Sequence, residues 1–124
     1  MKSTGLVALM FFLGGCVGIS PADLRISSPV DTVSSSKSTD VITQCLLDKF
    51  NFLRPDRLLQ NTYNNQGFSE FLIGAYQAGQ MRYHYNIKII DDKNGSQVEV
   101  RHSDGYYHPL SKQKLIESIK NCAY

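Results

Sequence analysis

The chain of 124 residues has no tryptophan, only four prolines and only three cysteines. Charged residues make up 19% of it, against about 25% in ordinary globular chains. The surface must therefore lean on uncharged polar groups, and Ser and Asn are plentiful. Basic residues exceed acidic ones by 13 to 11, a formal charge of +2. Without a clustered basic face, nucleic acid is not an expected partner. The length allows one domain and excludes two of ordinary size. An odd cysteine count leaves a free thiol or an intermolecular bond, unless one cysteine has another fate.

Catalytic signatures are equally scarce. There is no Gly-x-Ser-x-Gly elbow and no phosphate-binding glycine loop. His84, His102 and His108 are the only imidazoles. His102, Asp104 and His108 fall near one loop, but a metal site needs three or four ligands with supporting partners. Asp91-Asp92 is the only adjacent carboxylate pair, and it reads as part of a solvated turn. An envelope enzyme is thus the weakest functional reading. No catalytic residue, metal or cofactor is expected.

What is present begins at the N-terminus. Lys2 precedes a short apolar run from Gly5 to Gly15, with Leu6 to Leu13 at its centre. About ten apolar residues are too few to span a hydrocarbon core, which takes roughly 20. A basic start, a short apolar stretch and small residues after it describe a secretory signal peptide. The run ends in Leu13-Gly14-Gly15-Cys16. This resembles the lipobox of bacterial lipoproteins: Leu, a small residue, Gly or Ala, then Cys. The resemblance covers the first 16 residues.

It implies cleavage before Cys16, with residues 1–15 removed. It also implies a diacylglycerol thioether and an N-acyl chain on Cys16. One acyl chain gives marginal membrane affinity, whereas two or more hold a protein stably. In lipoproteins of the enteric type, Asp after the lipidated Cys retains the protein in the inner membrane. Val17 stands there, so the resemblance implies the periplasmic side of the outer membrane.

Residues 16–38 are rich in Ser and Pro, and their apolar residues show no sustained period. They read as a lipidated cysteine followed by a flexible tether, a coil reaching roughly 25 Å. A recognition segment centred on Leu24 to Ile26 is the rival reading. Residues 39–124 then form the folded domain. Ser38 or Thr39 caps a helix over about Asp40 to Leu53, with Val41, Ile42, Cys45, Leu46 and Phe50 at helical spacing. Arg54-Pro55 ends it. Arg57 to Leu59 reads as a short helical turn, and Asn61 to Gly67 as loop. Phe68 to Ala78 fits a strand or a helix and is assigned as a strand.

The clearest pattern follows. Tyr83, Tyr85, Ile87 and Ile89 alternate with Arg82, His84, Asn86 and Lys88, and Asn94-Gly95 marks a hairpin turn. Pairing Ile90 with Gln97 sets Ile89 opposite Val98, Ile87 opposite Val100, Tyr85 opposite His102 and Lys88 opposite Glu99. One register thus gathers the apolar residues and leaves an opposite-charge pair on the wet side, where His84 also falls. A last helix runs from about Ser111 to Asn121, with Leu115, Ile116, Ile119 and Cys122 on one face. The expected fold is α+β: a helix, about three antiparallel strands and a C-terminal helix, with both helices on one sheet face.

With Cys16 lipidated, Cys45 and Cys122 remain, each on the inward face of a helix. Outside the cytoplasm they are expected to form a disulfide joining those helices, the alternative being two buried free thiols. Tyr76, Tyr83, Tyr85, Tyr106 and Tyr107 cluster in the second half of the chain. Tyr76 and the Tyr106-Tyr107-His108 turn are the candidate contact surface, because Tyr offers area with a polar handle. The expected role is a membrane-anchored, protein-binding accessory of the cell envelope. The alternative is an inhibitor, immunity or exclusion lipoprotein. A sheet edge or Tyr-rich face favours the first, and an exposed loop made to enter a cleft favours the second.

Replacing Cys16 by Ser is expected to move the protein from the membrane to the soluble fraction and to abolish palmitate labelling. Unchanged fractionation, or no label on the parent chain, refutes the anchor.

Overall fold

The computed structural model describes residues 20–53, 57–103 and 110–124. Residues 1–15 and Cys16 lie outside them, so the signal and lipidation readings fall beyond the described residues. Eight elements of regular structure follow in order: α1 (Pro21–Ile26), β1 (Asp31–Ser35), α2 (Thr39–Lys49), β2 (Leu58–Tyr63), β3 (Phe68–Gln77), β4 (Gln80–Asp92), β5 (Gly95–His102) and α3 (Lys112–Ala123). A single 3-10 turn, Asn64–Gln66, joins β2 to β3.

The strands form one antiparallel five-stranded sheet in the order β1-β5-β4-β3-β2. The β4–β5 register pairs Tyr85 with His102, Ile87 with Val100, Lys88 with Glu99, Ile89 with Val98 and Ile90 with Gln97. This is the register expected from the alternation. Phe71, Ile73, Tyr85, Ile87, Ile89, Val98 and Val100 project to one face and are buried. On that face α2 contributes Ile42, Leu46 and Phe50, and α3 contributes Leu115 and Ile119. Phe50 meets Phe71 edge-on with ring centroids 5.8 Å apart, a favoured aromatic geometry. Both helices start at a serine whose side chain accepts an amide hydrogen of the first turn: Ser38 from Val41 and Ser111 from Lys114.

Cys45 and Cys122 are bonded, joining α2 to α3 across 77 positions of sequence. The α+β class, the shared helix face and the disulfide agree with the sequence reading.

Three expectations are corrected. The sheet has five strands rather than about three. One of the added strands is β2, where the sequence pattern predicts a helical turn and a loop. Its residues Leu58-Leu59-Gln60-Asn61-Thr62-Tyr63 lack clean alternation, because an edge strand with both faces partly wet needs none. Pairing with β3 holds it, from Leu58 opposite Ile73 to Tyr63 opposite Phe68.

The second correction concerns residues 16–38. Its described part is not a tether: it holds α1 and β1. Each element buries a single apolar side chain, Leu24 at 0% and Val33 at 3% exposure. One anchor per element leaves no period to detect, and tertiary contact supplies what the local pattern lacks. Ser20 caps α1 with Pro21 in its first turn. β1 pairs along β5, from Asp31 opposite Val100 to Ser35 opposite Ser96. Gly95 sits at φ +144, and a Cβ there would lie 2.1 Å from the Ser35 carbonyl oxygen. Only glycine lets the chain leaving β1 pass this close.

The third correction is His84, which is 2% exposed rather than solvent-facing. The β3–β4 register shifts between Ile73 and Gly74, since Ile73 faces Tyr85 and Gly74 faces Tyr83. His84 is the extra residue of that bulge, and its carbonyl accepts the Ser103 amide at 2.8 Å.

Replacing Cys45 and Cys122 by Ala is expected to lower unfolding free energy by up to about 4 kcal/mol. Urea unfolding of parent and variant measures this, with no change in sheet content by circular dichroism below the transition.

Candidate functional site

The face of the sheet opposite α2 and α3 is polar, and α1 lies across it. Glu70 of β3 stands at its centre, 3% exposed. Arg25 of α1 grips it bidentately: Nε donates to Oε2 at 2.9 Å and Nη2 to Oε1 at 2.8 Å. Asn86 of β4 donates to Oε2 at 2.7 Å, and Asn61 of β2 to Oε1 at 3.5 Å. One carboxylate thus joins α1, β2 and β4. Arg101 adds a second tie, its Nε donating to the Ser27 carbonyl at 2.8 Å while Nη2 pairs with Glu99 at 2.7 Å.

Burial alone pushes the Glu70 carboxyl up. Hydrogen bonds from Arg25 and Asn86, with the Arg25 charge, outweigh this and hold it below the usual carboxylate value. The hydrogen bond to Glu70 likewise raises Arg25. On the helix side, burial pushes the Tyr85 phenol up, and its hydroxyl donates to the Leu110 carbonyl at 2.8 Å.

Three concavities meet around β2. A groove of about 470 Å³ runs between α2 and β2, with Thr43, Gln44 and Leu47 on one wall and Gln60 and Thr62 on the other. Asp40 and Asp91 also line it, and among the described residues no cationic side chain does. Thr43 and Ser69 share a hydrogen bond of 2.7 Å at its floor. On the opposite face a hollow of about 270 Å³ is lined by Arg25, Tyr63, Phe68, Glu70, Asn86 and Lys88. Tyr63 and Phe68 pack with centroids 4.8 Å apart, and the Lys88 ammonium sits 4.3 Å over the Phe68 ring. A third concavity takes in Thr62, Tyr63, Asn65 and Gln66.

Of the candidate contact residues, Tyr76 is 60% exposed near the end of β3, opposite Met81. Tyr106, Tyr107 and His108 lie outside the described residues, as does Asp104. Tyr76 is not among the residues lining these concavities. His102 stacks on Tyr85 at 4.9 Å, the neighbour expected from the register. Asp91 and Asp92 close β4 opposite Ser96 and Gly95, and Asp91 accepts the Thr39 hydroxyl at 2.5 Å. Among the described residues, no three His, Cys, Asp or Glu side chains gather as a metal site requires. No described helix is long and apolar enough to cross a membrane.

The Glu70 network and the β2 groove escaped the sequence reading. The one available signal was Glu70 itself, a lone charge inside the apolar stretch Phe68 to Ala75. Comparisons with protein families, curated proteins and solved structures give no match.

Glu70→Gln is expected to lower stability at pH 7 by roughly 1–3 kcal/mol, the scale of hydrogen bonds to a charged group. Because the folded carboxyl is held low, its contribution is full above the ordinary glutamate pKa of about 4.3. It disappears as pH falls through the lower folded value. Thermal unfolding should therefore separate parent from variant at pH 7 and converge in more acidic buffer. A gap that is constant with pH refutes this.

Proposed function

We propose that this chain is a lipid-anchored accessory protein of the bacterial cell envelope, held on the periplasmic side of the outer membrane through acyl chains on Cys16, where it binds another envelope protein. The carrying observation is the distance between the lipobox and the fold. Only Val17, Gly18 and Ile19 separate Cys16 from Ser20, which caps α1. Four Cα steps span at most about 14 Å. The domain is then held close to the bilayer, and its partner must be reached at that height. Such a leash suits a recruiting or positioning module better than a freely swinging one.

An open sheet edge supports the accessory reading over that of an inhibitor, immunity or exclusion lipoprotein. The latter needs an exposed loop shaped to enter a cleft. The proposal gives the chain no catalytic step and no cofactor beyond the covalent lipid.

The test is crosslinking and capture from intact cells, comparing the parent with Cys16→Ser. One specific envelope protein should be recovered with the anchored chain and lost with the released one. Tyr106→Ala and Tyr107→Ala, made together, should weaken recovery if that turn touches the partner. Equal recovery with and without the anchor refutes membrane-level recruitment.

A further inference from the structure

We infer that the outer edge of β2 is a strand-docking site for an extended segment of a protein partner, with basic side chains at alternate positions. The inference rests on the protein-binding reading and specifies its surface.

The two edges of the sheet are treated differently. β1 is short, carries Asp31 and follows Pro29, all features that blunt an edge. Its far end is tied to α3, because the Ser35 hydroxyl donates to the Ala123 carbonyl and the Lys37 ammonium to the Cys122 carbonyl. β2 is only one residue longer, so composition rather than length separates the two edges. Its six residues include no charge and no proline, and no described strand pairs with its outer side.

The phase of the edge is set at its start. The Gly74 amide donates to the Arg57 carbonyl at 2.8 Å. In an antiparallel ladder this directs the backbone groups of residues 57, 59, 61 and 63 toward β3. Those of Leu58, Gln60 and Thr62 then point outward. Three residues offer about six backbone hydrogen bonds to an added strand.

Chemistry on the two faces defines the guest. Helix-facing side chains of an added strand would lie along the α2–β2 groove, where Asp40 and Asp91 stand without a cation among the described lining residues. Opposite-facing ones would lie beside Leu59 and Tyr63, which are 42% and 36% exposed. On that same face Glu70 neutralises Arg25, and Lys88 leaves one net positive charge that disfavours further positive charge there. Basic residues on one side and apolar residues on the other give the alternation that a strand presents.

The probe is an acetylated and amidated six-residue peptide alternating Lys and Val, with a Glu-Val peptide as control. Amide hydrogen exchange is followed in the purified chain. At saturation the Lys-Val peptide should slow exchange at Gln60 and Thr62 at least tenfold, and the Glu-Val peptide should leave it unchanged. Gln60→Pro removes an outward donor without breaking the β3 ladder, and should abolish the protection while thermal unfolding stays at the parent value. Should that variant not fold, Thr62→Lys places a cation in the groove and should weaken binding at least tenfold. Unchanged exchange, or equal protection by both peptides, overturns the inference. Protection of the free chain that grows with its own concentration overturns it in favour of a second copy.

In cells, a benzophenone side chain at Leu59 is compared with one at Glu117 on α3. Crosslinks from Leu59 to a partner segment with alternate Lys or Arg support the site. Crosslinks from Glu117 alone overturn the edge and leave the binding-module reading standing. Crosslinks from neither position overturn both.

Discussion

In the central hairpin Ile87 faces Val100 and Ile89 faces Val98, and a slip of one residue would turn each of these side chains toward the polar face. The side-chain period of a strand is two, so no intermediate register exists. Every other part of the molecule follows from that constraint. The apolar face it creates is what α2 and α3 cover, through Leu46, Phe50, Leu115 and Ile119. The polar face it leaves, with Asn86, Lys88 and Arg101, is where α1 finds its partners.

The two faces are closed by different physics. On the helix side, apolar burial does most of the work, and the Cys45–Cys122 bond keeps the two covering helices together. A described domain this small buries a modest fraction of its surface, so a covalent staple adds what the core alone supplies thinly. On the other side one nearly buried carboxylate is held by a guanidinium and two amides. A buried charge is tolerated only with such partners. Glu70 therefore sets where α1 can rest on the sheet.

That arrangement gives the module a direction. α1 lies on the polar face, α3 on the other, and β2 forms an edge reached from both. Grooves on each side of this edge differ in charge: Asp40 and Asp91 toward the helices, and away from them Lys88 beside the neutral Arg25–Glu70 pair. An edge that no described strand pairs, with acidic side chains on one flank and a net positive charge on the other, discriminates by pattern rather than by a single pocket, which is how strand addition obtains specificity.

Much of this was legible in the chain alone. Alternation from Tyr83 to Ile89 and from Gln97 to Arg101 determined the hairpin and its register, because each side chain there has one dry and one wet choice. Ser38 or Thr39 and Ser111 marked the two helix starts, since their hydroxyls satisfy amides that a helix cannot, and the structure selects Ser38 for the first. The inward positions of Cys45 and Cys122 pointed to their pairing, with two buried free thiols as the alternative, and the structure shows the bond. Only the tertiary structure decided α1, β1 and β2. Leu24 and Val33 are single anchors with no period around them, and β2 is a half-wet edge held by its neighbour. The site at Glu70 likewise exists only when residues 25, 61, 70 and 86 converge, and sequence spacing carries no trace of a convergence made by folding.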